Sequence, residues 1–338
     1  MASGRQSYLI VGAGVFGVST AYYLIKKYPN ASVTIVDRDA YDADSRVAAS
    51  WDWNKVVRAD YDDIVYCQLG LEAQDVFKSD PLWKPYFHET GIYWICRSEY
   101  AQEVIDNYKK LGRKADLSAV PIDEARRLYG GLFDDADYAG VKDVLVNKTS
   151  GWAAAGDCLR AVTRKAIELG VKYVVADVTR LQFDASGRCT GVRTANGKTL
   201  TAAHVVLCTG AFTPKLLELS AHSSGLTDLR AGSRILAGGI TTGMTRLDDK
   251  TYQRFAKMPV GVQGYTAATG TVAHHLCVPA ANPLKQAPSL AVFHQLLTKS
   301  SSGGDRQYLK TLEKCCPAAT SQCRRQNQTT LSGRFPGD

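Results

Sequence analysis

The chain begins with a change of hydrophobic period. Tyr8 to Val11 is a short, continuous apolar run, the pattern of a strand buried on both faces. From Val18 to Lys27 the apolar residues recur at helical spacing, with Ala21, Leu24 and Ile25 available to face a sheet. Ser32 to Val36 is rich in β-branched residues and predicts a second strand, ending at Asp37. A later helix is predicted from the alanine-rich stretch with Ala155, Leu159, Val162 and Ala166 on one face, stopping at Gly170. Residues 170–200 predict several short strands, with turns at Ala185-Ser186-Gly187 and Asn196-Gly197. His204 to Leu207 is a further apolar strand. "DPLWKPYFHETGIYW" (80–94) predicts a turn and then a strand carrying Tyr93 and Trp94. Tyr61 marks the entry of another helix, with Asp60, Asp62 and Asp63 near its positive end. Beyond residue 270 the pattern fades, and only Ser289 to Leu297 predicts an element, a short helix.

The first strand and helix are joined by Gly12, Gly14 and Gly17 in G-x-G-x-x-G spacing. Gly12 allows a tight turn, Gly14 lets a pyrophosphate approach the backbone, and Gly17 lets the helix pack close to the strand. The helix N-terminus presents N–H groups and a positive dipole end to phosphate. Asp37 stands 20 residues after Gly17, where a carboxylate can accept hydrogen bonds from ribose hydroxyls. An acid there fits FAD or NAD and disfavours NADP. A second glycine turn, Cys208-Thr209-Gly210-Ala211, follows the late strand and offers backbone to a cofactor again. An N-terminal βαβ unit completed by a β-rich segment and a late strand is the layout of flavoproteins that bind FAD in an extended form.

Composition narrows the classes. A chain of 338 residues has room for two domains at about 150 residues each. The net charge of +8 has no Lys/Arg block interleaved with aromatics, so a nucleic-acid partner is not expected. It can instead help draw in an acidic substrate or an anionic cofactor. No apolar run reaches the length of a membrane span. The N-terminus lacks the pattern of a signal peptide, and Pro336-Gly337-Asp338 is no peroxisomal signal, so a cytoplasmic protein is expected. The nine cysteines are odd in number and lack a framework spacing, which predicts reduced thiols. Cys315, Cys316 and Cys323 lack partners at ligand-like spacing, and no metal is expected.

Five ordered segments carry a resemblance: "IVGAGVFGVSTAYYL", "AASWDWNKVVRADYDD" (48–63), "DPLWKPYFHETGIYW", "SGWAAAGDCLRAV" (150–162) and "VVLCTGAFT" (205–213). Together they resemble the FAD-dependent amine oxidoreductases of the sarcosine oxidase and D-amino-acid oxidase superfamily. The similarity is to the fungal branch of fructosyl amino acid oxidases (amadoriases), L-pipecolate and saccharopine oxidases, and alkaloid-pathway relatives. The resemblance implies an α/β fold: a Rossmann-like FAD-binding domain of glutathione-reductase type with an α+β substrate domain, incomplete at the C-terminal side. It implies a discontinuous FAD domain over 1–79 and 145–228, and a partial substrate domain over 80–144 and 229–270.

The resemblance also assigns residues. Val15 and Phe16 would line the pyrophosphate turn beside Gly12, Gly14 and Gly17, and Asp37 would hold the ribose. Ser50 to Val56 would pass along the flavin, with Asn54 and Lys55 beside the isoalloxazine. Val178 matches a position whose backbone contacts adenine, and Gly210 belongs to the second glycine turn. Lys55 and Arg58 are the expected catalytic residues. Lys55 would stabilise an anionic reduced flavin. Arg58 would grip a substrate carboxylate bidentately, which points to an amino or imino acid. His88, among aromatics, is read as structural. The implied reaction oxidises a C–N bond of a secondary or cyclic amine to an imine with O2 as acceptor, in a monomer, with a place in fungal secondary metabolism.

Residues 271–338 match nothing in this pattern. They are rich in Ser, Thr, Gln, Arg and Pro and cannot bury much apolar surface. They are expected to be a poorly ordered tail, such as a translated intron or a shifted reading frame would encode. Two rival readings follow: a catalytically impaired flavoprotein remnant, and an NAD-dependent dehydrogenase built on the same first motif.

Overall fold

The computed structural model describes residues 6–96, 99–237, 242–246, 248–263, 274–277 and 289–294. The described residues divide into two compact units. One holds 6–55, 76–87 and 153–237; the other holds 56–75, 88–152 and the described residues from 242 to 294.

In the first unit, a four-stranded parallel sheet runs in the order His204–Leu207, Ser7–Val11, Ser32–Asp37, Lys172–Val175. Its strands are apolar at successive positions because both faces are covered. Ile10, Val33 and Ile35 pack on the helices Val15–Lys27 and Ala155–Glu168, through Val18, Ala21, Ile25, Leu159, Val162 and Ala166. Leu9, Val11 and Val36 point the other way, into a cluster with Leu181, Val192 and Leu216. That second layer is a three-stranded antiparallel sheet, Val178–Phe183, Cys189–Thr194 and Thr199–Thr201, with the helix Thr213–Ser224. Each fully buried Val, Leu or Ile contributes about 1.5–3 kcal/mol, so the two clusters are what hold the glycine turn in place.

The first helix begins at Val15, three residues before the predicted Val18. The glycine spacing hides that turn from a reading of periodicity, since Val15 and Phe16 are exposed and break the apolar stripe.

The second unit is organised by a seven-stranded mixed sheet. Its order is Thr242–Arg246, Ser289–His294, His274–Cys277, Val260–Gln263, Ile92–Ile95, Asp143–Asn147, Leu117–Pro121. Val260–Gln263 runs parallel to Ile92–Ile95, and the other pairs are antiparallel. Tyr93, Ile95, Val120, Tyr138, Val144 and Val146 form a core on one face. Two expectations are corrected here. Ser289–His294 is a strand and not a helix, because its backbone bonds are taken by Thr242–Arg246 on one side and His274–Cys277 on the other. The helix predicted from Tyr61 starts at Ile64 and runs to Ser79. Asp63 accepts from the N–H groups of Val65 and Tyr66, as an N-cap should. Residues 295–338, including Cys315, Cys316 and Cys323, lie outside the described residues.

Gly17 tests the packing of helix on strand. A Cβ there would lie 1.9 Å from the Gly12 carbonyl oxygen, so the helix would have to move off the strand. Gly17→Ala is expected to destabilise the protein by about 2 kcal/mol or more, read as a lowered denaturation midpoint with unchanged slope. A midpoint equal to wild type would refute the close packing.

Candidate functional site

The glycine turn is built by convergence. Gly12 adopts φ +100, a conformation suited to glycine, and its N–H donates to the Val36 carbonyl at 2.8 Å. A Cβ on Gly12 would sit 2.4 Å from the Cys208 carbonyl oxygen. The Cys208 N–H in turn donates to Val11 at 2.8 Å. The two glycine turns of the sequence are therefore neighbours at the carboxyl edge of the parallel sheet, where open α/β sheets bind their ligands. Gly210, with φ +51, opens the short helical turn Gly210–Phe212 just beyond. Phe212 lies under the Arg38 guanidinium, 4.0 Å from ring centroid to cation.

Asp37 ends the second strand and reaches back into this turn. Its Oδ2 accepts the Ala13 N–H at 2.6 Å and its Oδ1 accepts the Asp39 N–H at 3.0 Å. Arg46 Nη2 lies 3.3 Å from Asp37 Oδ1 and donates to the Ala13 carbonyl at 3.2 Å. The Arg46 side chain is 1% exposed and that of Asp37 16%. Arg46 Nε is buried and has no hydrogen-bond partner among the described residues. Sequence reasoning did not find Arg46, because a lone arginine in "YDADSRVAAS" carries no periodic or motif signal.

Ser50 is the other remote support. Its Oγ accepts the Val15 N–H at 2.9 Å, so it satisfies the first N–H of the helix from 35 residues away. Acceptance leaves the hydroxyl hydrogen as a donor. The stretch that follows is fastened to the later helix: the Gly156 N–H donates to the Asp52 carbonyl at 2.7 Å. Asn54 is fully buried. Lys55 forms an ion pair with Asp52 Oδ2 at 2.7 Å and its side chain is 43% exposed. Val56 sits in the short strand Lys55–Val57, half-buried. Val178 begins the antiparallel sheet opposite Thr194. Just before it, the Ala176 N–H donates to the Asp37 carbonyl at 2.8 Å. Gly12, Gly14, Gly17, Asp37, Ser50, Val178 and Gly210 thus belong to one edge of one unit.

Arg58 belongs to the second unit. Its guanidinium lies between two rings, 3.9 Å from the Tyr61 centroid and 4.4 Å from that of Trp94. Its Nη1 donates to the main-chain carbonyl of Asp60. The Tyr100 hydroxyl donates to the same carbonyl at 2.6 Å and is also bonded to Arg58. Burial pushes the Tyr100 phenol up, with the Arg58 charge opposing it. Asp60 corrects the sequence reading. It is not a solvated acid at a helix end but is fully buried, with burial pushing its carboxyl up. His88 stacks on Trp152 at 4.0 Å, and burial pushes its imidazole down, which favours a neutral ring. Among the described residues there is no helix long and apolar enough to cross a membrane, and no His/Cys/Asp/Glu cluster placed to hold a metal.

Comparisons with known proteins bear on this geometry. The chain is 28% identical over 271 residues to the L-saccharopine oxidase of Schizosaccharomyces pombe, covering 75% of this chain and 59% of that protein. It is 26% identical over 257 residues to the amino acid oxidase imqH of Aspergillus flavus, covering 63% of this chain and 53% of that one. The chain therefore spans a little over half the length of these curated relatives. The fructosamine oxidase Amadoriase II of Aspergillus fumigatus has the same fold, with a TM-score of 0.65 at 23% identity, over 90% of this chain and 67% of that structure. The family model described as FAD dependent oxidoreductase (DAO) matches residues 7–274, four residues past the point where the motifs cease to be recognisable. A glycine turn, an acid-tied second strand and a matched span of this length have one reading: the chain belongs to the DAO family of FAD-dependent oxidoreductases.

Proposed function

We propose that this chain is an FAD-dependent oxidase of a secondary or cyclic amino acid, oxidising a C–N bond to an imine with O2 as acceptor. The residues present fit the cofactor. Gly14 has no side chain, and a Cβ there would point at Ser50 Oγ, 3.2 Å away, so the groove beside the first helical turn is open because of glycine. The Ser50 hydroxyl accepts the Val15 N–H and keeps its own hydrogen as a donor suited to a pyrophosphate at the helix N-terminus. Asp37 keeps part of its carboxylate accessible for a ribose. Bound FAD supplies the two-electron acceptor that side chains lack. In this reading Gly12, Gly14, Val15, Phe16 and Gly17 hold the pyrophosphate. Asn54, Lys55 and Val56 flank the flavin, Val178 meets the adenine with its backbone, Gly210 offers backbone from the second glycine turn, and Lys55 offsets negative charge.

One observation carries the substrate class. The Arg58 guanidinium is stacked on aromatic faces and braced on a carbonyl, which is how an arginine is prepared to meet a carboxylate. A bare lysine would be a looser point charge. The relatives named as saccharopine and amino acid oxidases act on carboxylate-bearing compounds by name, which supports the same class. The relative imqH is a fungal amino acid oxidase, and a role in fungal secondary metabolism is part of the proposal. A cytoplasmic monomer completes it.

Two outcomes are expected. Gly14→Ala should fold at a cost of about 1 kcal/mol, since Gly14 caps the helix and the Ser50 oxygen that holds the Val15 N–H must give way. It should lose FAD affinity at least about tenfold, because the methyl group takes the phosphate's approach. Fluorescence titration of FAD into the apoprotein reads this, and unchanged affinity would refute the cradle. Arg58→Met should raise KM for pipecolate or saccharopine at least about tenfold, the loss expected of a charge-assisted bond. A KM unchanged in the variant, measured by peroxide release, would remove Arg58 from the substrate site.

A further inference from the structure

Asp60 poses a problem of charge. It is wholly buried, and both carboxylate oxygens are taken by neutral donors. Oδ1 accepts from Asn147 Nδ2 at 2.5 Å and Oδ2 accepts from the Ser150 hydroxyl at 2.8 Å. The donors are themselves held. Asn147 Oδ1 accepts from the Thr149 N–H at 2.9 Å and from its hydroxyl at 2.7 Å, which turns the Asn147 amide nitrogen toward Asp60. Ser150 Oγ accepts from Gln74 Nε2 at 3.0 Å, which directs the serine hydrogen to the carboxylate. Burial pushes the Asp60 carboxyl up, while the Asn147 and Ser150 donors and the Arg58 charge pull it back. A buried carboxylate is costly, and this one is held at both oxygens beside a main-chain atom that has two partners of its own. That atom is the Asp60 carbonyl oxygen, the acceptor for both Arg58 Nη1 and the Tyr100 hydroxyl.

We infer that Asp60 is a positioning residue for carboxylate recognition: Asn147 and Ser150 fix its side chain, its backbone fixes Arg58, and Arg58 meets the ligand. The inference rests on the reading of Arg58 given above. Asp60 touches no ligand and acts through Arg58, so its effect is on discrimination between a carboxylate and its neutral amide, not on affinity in general.

The test compares picolinate with picolinamide, ring compounds without an oxidisable amine, bound to the FAD-loaded full chain and measured by calorimetry. Wild type is expected to favour the acid by at least about tenfold, and Arg58→Met to bring that ratio near one. Asp60→Ala should lower the ratio at least about fivefold, and Ser150→Ala, which removes one of two donors, about two- to threefold. Asp60→Ala added to Arg58→Met should lower it no further, because the two act in series. Asp60→Ala weakening both ligands equally, or Asp60→Ala and Ser150→Ala leaving the ratio at its wild-type value while Arg58→Met abolishes it, would overturn the role of Asp60 and leave Arg58 standing. A wild-type protein that does not prefer the acid, or an Arg58→Met variant that still does, would overturn both. Where Asp60→Ala does not fold, Ser150→Ala decides.

Discussion

The carboxyl edge of the parallel sheet depends on two positions that have no Cβ. At Gly12 the first strand turns within contact of the Cys208 carbonyl, and at Gly17 the helix comes down onto the Gly12 carbonyl. Three backbone segments meet there at distances that a methyl group would forbid. The polar contacts are consequences of that convergence. The Ala13 N–H meets Asp37, and the Val15 N–H meets Ser50, only because the helix starts where it does. Sterics place the donors first, and electrostatics then decides what they attract.

Asp37 shows how a motif residue carries more than its motif role. In the glycine pattern it is the acid that greets a ribose. In the fold it is also a structural clasp, accepting two backbone N–H groups and lying beside the buried guanidinium of Arg46. The Arg46 charge partly offsets the carboxylate, so a diphosphate at the turn does not face an uncompensated anion. Removing the whole carboxylate would free the Ala13 N–H and leave Arg46 buried without its counter-charge, which costs stability of itself. Loss of nucleotide affinity in an alanine variant at 37 is therefore an ambiguous sign of ribose binding. Gly14 separates the two effects more cleanly, because its change spares the clasp.

The first unit was largely legible in the chain. Strands, helix and glycine spacing follow one another within about 30 residues, and local periodicity is enough to order them. His204–Leu207 matched its predicted bounds because it is a short apolar run between a polar segment and a glycine turn. The second unit was legible only in part. Its sheet joins Ile92–Ile95 to Val260–Gln263, strands separated by well over a hundred residues, and no window on the sequence spans that pairing. Ser289 to Leu297 predicts a helix, where the strand Ser289–His294 stands, because a short run of apolar and polar residues cannot distinguish the two states without knowing its neighbours. The site divides in the same way. Gly12, Gly14, Gly17 and Asp37 announce themselves by spacing, whereas Arg46, Asn147 and Ser150 act through side chains brought in from elsewhere. Asp60 was visible but misread, since three nearby acids resemble a helix entry and only Asp63 is one.

The chemistry of position 60 follows from the count of donors around it. Asn147 and Ser150 both present hydrogens, and each is turned that way by a further bond to Thr149 or Gln74. An asparagine at 60 would add two hydrogens of its own and set an N–H against one of these donors. A carboxylate accepts from both and adds none. The cost of burying its charge is reduced by the Arg58 guanidinium two residues earlier, which is itself half-buried and in need of a counter-charge. The Arg58 charge favours the ionised carboxyl of Asp60 without a direct side-chain bond between them. Such an arrangement leaves the guanidinium's remaining N–H groups uncommitted to the Asp60 carboxylate. A direct Arg58–Asp60 ion pair would occupy the fork that an incoming carboxylate needs.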